Sequence, residues 1–190
     1  PTFTNDGVSC QGTAQTFTIT VNPTAVVNTV TNKVVCNGSS IAAINFSTTA
    51  TGGSIVYNWT NNNTSIGLAA TGTGNIASFN AINNTNAPQI ATITVTPVFS
   101  NGGVSCTGTA TSFTITVNPE MIVNAISSQV LCHNASTTAV NFASPTTGGT
   151  IVYNWTNSNT AIGLAVSGSG NIASFTATNS SNAPVSGTIT

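Results

Sequence analysis

The sequence is written twice. GVSCQGTAQTFTITVNP, from Gly7 to Pro23, returns as GVSCTGTATSFTITVNP from Gly103 to Pro119, 96 positions further on. IVYNWTNNNTSIGL from Ile55 returns as IVYNWTNSNTAIGL from Ile151 at the same displacement, and Cys36, Tyr57, Trp59 and Phe79 return as Cys132, Tyr153, Trp155 and Phe175. A fixed period of domain size constrains the fold more than any other feature, because each period must close a core of its own and the whole must be an array of small units.

The frame of the repeat sets the expected division. Residue 190 falls at the repeat position of Thr94 and residue 1 at that of Pro97, so only the positions of Val95 and Thr96 are missing from two full periods. Residues 1–23 then read as the C-terminal hairpin of a preceding repeat, 24–119 as a complete β-sandwich repeat, and 120–190 as a β-sandwich repeat lacking its last hairpin. An isolated hairpin is marginal in water, so neither flanking piece is expected to be stable alone.

Alternation of apolar and polar residues dominates the local pattern. In FTITVN at 17–22, Phe17, Ile19 and Val21 point one way and Thr18, Thr20 and Asn22 the other; ATITVT at 91–96 and FTITVN at 113–118 repeat this. Period two marks half-buried strands, and Asn37-Gly38, Gly52-Gly53 and Asn101-Gly102-Gly103 supply turn chemistry between them. Seven strands are predicted in the complete repeat, near 25–30, 39–47, 54–60, 64–69, 75–82, 89–99 and 108–117. The fold class is therefore all-β, as tandem Ig-like β-sandwich domains. Trp59 and Tyr57 on the third strand, with Phe79, are the expected apolar centre, matched by Trp155, Tyr153 and Phe175. The competing reading makes the two tryptophans exposed ligand platforms.

Charge is almost absent, with one Lys or Arg, two acids and one His in 190 residues. Nucleic-acid binding needs several cationic contacts and is not expected, nor are the carboxylate-rich calcium cages of many extracellular repeats. No apolar run approaches the roughly 18 residues of a spanning helix, so no membrane insertion is expected of this segment. Lys33, Glu120, Asp6 and His133 align with Gln129, Thr24, Gly102 and Asn37 of the other copy. A site needed in every repeat therefore rests on none of them; no catalytic, cofactor-binding or metal-binding residue is expected, and the chain does not read as an enzyme.

Cysteine is the one chemical feature that does repeat. Two per period in a small-domain, β-rich chain point to disulfides and an oxidising compartment. The first expectation pairs Cys36 with Cys106, leaving Cys10 and Cys132 to bridge to neighbouring repeats. The rival pairs Cys10 with Cys36 and Cys106 with Cys132 across the Val-Asn-Pro linkers, and four free thiols is the third reading. The sequence leaves the connectivity open: were strict Ig topology to put the last hairpin turn, holding Cys106, and the first turn, near Cys36, at opposite poles, the first pairing would be weakened, because bridged Cα atoms must lie within about 7 Å. Asn-x-Ser/Thr triplets such as Asn58-Trp59-Thr60 are expected by chance in so Asn-rich a chain.

The motifs VCNGSS, IVYNWTNNNTSIGLAATGTGNIASF, ITVTPVFSNGGVSCTGTA and FTITVNP resemble the tandem PKD-like/Ig-like modules of giant Bacteroidetes cell-surface adhesins, in particular the SprB-type gliding adhesins. The resemblance covers essentially the whole chain. It implies a filament attached to the outer membrane, exported by type IX secretion, moved along the cell surface in gliding motility, and binding polysaccharide or abiotic surfaces. PKD domains carry an acidic Trp-Asp-Phe-Gly-Asp-Gly segment; Tyr57-Asn58-Trp59-Thr60-Asn61 stands in its place, so calcium binding is not carried over. The expected function is a structural stalk whose partners are neighbouring copies or repeats, head to tail, with a glycan- or surface-binding module as the alternative. Growth through one continuous chain is expected ahead of growth by strand addition between separate chains.

Overall fold

The computed structural model describes every residue from Pro1 to Thr190 and is all-β. In chain order the strands are β1 (Thr2–Asn5), β2 (Val8–Gln11), β3 (Lys33–Cys36), β4 (Ser40–Ile41), β5 (Ser54–Asn61), β6 (Thr71–Thr73), β7 (Phe79–Asn80), β8 (Gln89–Asn101), β9 (Val104–Thr107), β10 (Thr111–Asn118), β11 (Asn154–Thr156) and β12 (Ser167–Ser169). The main sheet has the order β3-β10-β8-β5-β6, with β9 folded back on β8. β3 is parallel to β10; the other pairings are antiparallel. A smaller layer faces it, tied by the β4–β7 pair and by bridges from Val27 to Thr48 and Ile44 to Ile76.

The alternating sequence becomes an alternating environment. Ala91, Ile93, Val95 and Phe99 of β8 and Phe113, Ile115 and Val117 of β10 are buried, and most of them join Val27, Ile41, Ile44, Phe46, Trp59, Ile66 and Ile76 in one core between the layers. Each large apolar side chain so buried contributes about 1.5–3 kcal/mol. The intervening Thr and Ser residues face outward and pair across strands, as Thr94 with Ser112 at 2.9 Å.

The unit has two poles. At the upper one the chain enters: the Ala25 carbonyl accepts from the Thr109 N–H at 3.1 Å, and Gly108 N–H donates to Pro97 at 2.7 Å. At the lower one it leaves, where Asn118 pairs with Cys36 and its carbonyl accepts from the Asn37 N–H at 2.9 Å. The next repeat stacks below, its Thr147 N–H donating to the Asn86 carbonyl at 2.7 Å.

Four expected strands differ: 39–47 keeps only β4 and a bridge at Ile44, 75–82 keeps only β7 and a bridge at Ile76, and two more are lost. Residues 25–30 make only bridges at Val26 and Val27 before the chain crosses to the main sheet as β3. Residues 64–69 are a 3-10 turn, Thr64–Ile66, followed by irregular chain. Asn63 caps that turn by accepting from the Ser65 N–H, and Gly67 ends it at φ 89°, so short-range polar bonds displace the strand. Residues 104–107, where no strand was expected, form β9, and the strand expected over 108–117 runs from Thr111 to Asn118 as β10.

Candidate functional site

Trp59 and Trp155 are core residues, 7% and 9% exposed. Trp59 lies over β6, so close that a Cβ on Gly72 would fall 2.1 Å from its ring; Gly168 stands in the same relation to Trp155. Neither indole offers a ligand platform. Tyr57 packs on Phe46 at 5.7 Å between ring centroids, Tyr153 stacks on Phe142 at 5.5 Å, and Phe79 packs against the core. Phe175 is half-buried, its N–H bonded to Thr137 Oγ1 at 3.0 Å.

His133 has a structural task. Its Nδ1 accepts from the Asn179 N–H at 3.0 Å, as Asn37 Oδ1 accepts from the Asn83 N–H at 2.8 Å in the other repeat. An imidazole thus replaces an amide as the acceptor that fixes the same turn. No three His, Cys, Asp or Glu side chains come together.

The four cysteines are free, and the expected Cys36–Cys106 bridge is not made. Cys36 sits opposite Asn118 at the lower pole and Cys106 opposite Phe99 at the upper, with the run of β8 from Gln89 to Phe99 between them. At about 3.3 Å per residue that is roughly 30 Å, against the 7 Å or so that a disulfide tolerates between Cα atoms. The rival pairings fail likewise. Asn22 is anchored at the upper pole through Asn101, so Cys10 belongs beyond that pole while Cys36 is at the other. Cys132, in the repeat below, is separated from Cys106 by the whole complete unit.

What the structure leaves open are two apolar edges. The segment FTITVN at 17–22 pairs with no strand, and Phe17 is 85% exposed where its equivalent Phe113 is 3% exposed. Ile19 and Val21 are exposed with it, whereas Ile115 and Val117 are buried. Ahead of it, β1 and β2 form a hairpin pairing Thr2 with Gln11, the register of Val98 with Thr107 one repeat on.

The repeat 120–190 shows the complementary defect. Its Val123 is 49% exposed where Val27 is 4% exposed. Residues 129–132, equivalent to β3, pair with no strand and expose Val130 and Leu131. Beside them an open cleft of about 430 Å³ runs between Ala125–Gln129 and Thr138–Asn141. On its far side Ile189 bridges Asn157, as Ile93 pairs with Asn61. The place between these two edges is the one β10 fills in the complete unit. The repeat signalled this from the sequence; that the edges stay open in the folded chain is visible only in the structure. No family model and no curated protein matches the chain.

Proposed function

We propose that the chain is a structural stalk segment of a repetitive extracellular adhesin filament on a bacterial surface, built from Ig-like or PKD-like sandwiches and serving gliding and attachment. The observation that carries this reading is that the chain enters the complete unit at one pole and leaves at the other, with the next repeat docked below through Thr147 and Asn86. Units joined in this way extend as a rod. The near-absence of charge supports a shaft whose cohesion depends little on pH or salt, since cohesion rests on apolar burial and amide hydrogen bonds. The alternative, a glycan- or surface-binding module acting through exposed aromatic and Asn side chains, loses the two tryptophans, since Trp59 and Trp155 are buried.

Immunogold labelling of cells with antibody to the 190-residue chain tests the reading. The expected result is label spaced along extracellular fibres, with beads about 40 Å apart, the length of 13-residue β8 at about 3.3 Å per residue. Label confined to fibre tips, or to the cell interior, overturns it.

A further inference from the structure

We infer that the loop Asn83–Pro88 is a built seat for the Thr147–Gly148 turn of the following repeat, and that this second point of attachment locks the angle between the two repeats. The inference stands on contacts inside the chain, so it can fail while the stalk reading holds, and the reverse.

One amide shapes the seat. Asn83 is 3% exposed, and both polar atoms of its side chain are fully used. Its Nδ2 donates to the Ala87 carbonyl at 2.9 Å and to the Val117 carbonyl at 2.7 Å, while its Oδ1 accepts from the Thr85 N–H at 2.9 Å and the Thr85 hydroxyl at 2.8 Å. The bonds to Thr85 and Ala87 close the loop on itself, and the bond to Val117 ties it to β10 just before the chain leaves the unit. A buried amide satisfied in this way rigidifies what it joins. Asn179 makes the matching bonds to Ala183 and Ser181, each at 2.9 Å, in the other repeat. The shape of the turn is therefore a property of its own sequence.

The contact with the next repeat is largely backbone. Thr147 donates its N–H to the Asn86 carbonyl at 2.7 Å, with its hydroxyl on the same oxygen at 3.4 Å. Gly148, at φ 81°, backs onto Pro88 so closely that a Cβ would lie 2.6 Å from Pro88 Cδ. Thr146 returns to the linker, its hydroxyl donating to the Glu120 carbonyl at 3.4 Å. A closed ring results: Val117 to Glu120 along the chain, Glu120 to Thr146, Thr147 to Asn86, and Asn83 back to Val117. Its covalent arm is itself stiff, since Pro119 fixes its own φ and restricts Asn118. Repeats joined by a linker alone move relative to each other. With so short a linker, seat and turn face each other at high effective concentration, and one well-made contact holds the angle.

Two glycines separate the lock from turn strain. Gly52 is the repeat equivalent of Gly148, at φ 86°, and nothing lies within 4 Å of its Cβ position. Alanine strains both turns alike, but only at Gly148 does it strike Pro88. Paired nitroxide labels read the joint by pulsed electron spin resonance on the full chain, attached through Thr60→Cys and Thr156→Cys after the four native cysteines are replaced by Ser. Both positions are exposed and one repeat apart, so the distance between them is the step from one repeat to the next. A single narrow peak at about 40 Å, the length of Gln89–Asn101, is expected. Gly52→Ala is expected to keep that peak and Gly148→Ala to lose it to a broad distribution. A broad distribution with both glycines in place, a peak that survives Gly148→Ala, or a peak lost equally in Gly52→Ala overturns the inference.

Discussion

Asn22 and Asn101 are joined by a pair of hydrogen bonds: Asn101 Nδ2 donates to Asn22 Oδ1 at 3.0 Å, and Asn22 Nδ2 donates to the Asn101 carbonyl at 3.2 Å. Asn22 is the repeat equivalent of Asn118, which closes the lower pole of the complete unit beside Cys36. Asn101 is in the hairpin tip at the upper pole, and Asn22 Nδ2 also reaches the Val104 carbonyl there, two positions before Cys106. The counterpart of the asparagine that ends β10 at the lower pole is thus held against the hairpin tip at the upper pole.

Phe17→Ala and Phe113→Ala make a matched pair at one repeat position. The change at Phe113 removes a buried ring and is expected to cost about 3–5 kcal/mol; that at Phe17, exposed in the single chain, should stay within about 0.5 kcal/mol. Urea unfolding of monomeric protein measures both. Equal costs would mean that residues 17–22 are packed in solution.

Gly72→Ala probes the seat of the central tryptophan. With Trp59 Cζ2 2.1 Å from the new methyl, ring or backbone must shift, at about 1–3 kcal/mol. Since about 1 kcal/mol moves the midpoint of a unit this size by 4–8 °C, a clear fall in Tm by circular dichroism is expected. An unchanged Tm would contradict the close seat.

His133→Asn restores the residue that the other repeat uses for the same bond, and is expected to change stability by no more than about 0.5 kcal/mol. Asn37→Ala leaves the part-buried Asn83 N–H without its acceptor, at about 1–3 kcal/mol. Chemical denaturation of both variants decides; a large loss in His133→Asn would give the imidazole a task beyond accepting that hydrogen bond.

Burial pushes the Tyr57 phenol above its usual range. The fold therefore favours the neutral phenol, and the unfolded chain ionises first as pH rises. Stability should be level through neutral pH and fall once pH passes about 10, the ordinary tyrosine value. Thermal melts of the native protein and of Tyr57→Phe, measured against pH, test this. The variant is expected to lose part of that alkaline decline, and identical profiles would count against the burial.

The long strands Ser54–Asn61, Gln89–Asn101 and Thr111–Asn118 were legible because each contains an alternating run, Tyr57–Thr60, Ala91–Thr96 and Phe113–Asn118. Residues 64–69 misled because the pattern of apolar residues there says nothing of Asn61 and Asn63. Asn61 Oδ1 accepts from the Asn63 N–H at 3.0 Å, and its Nδ2 donates to the Leu68 carbonyl at 3.0 Å, which bends the chain. β3 was missed because it exists only by pairing with β10, a partner some eighty residues away.

By itself the sequence determined the period, the all-β class, which residues alternate, and that no repeated site rests on charge. Those are properties of neighbours along the chain, and apolar periodicity records them directly. Tertiary structure alone decided that FTITVN is a buried strand at 113–118 and an unpaired edge at 17–22, that the tryptophans face inward, and that Cys36 and Cys106 stand at opposite poles. A strand is defined by its partner and a disulfide by the distance between its ends, and both depend on segments far removed in sequence.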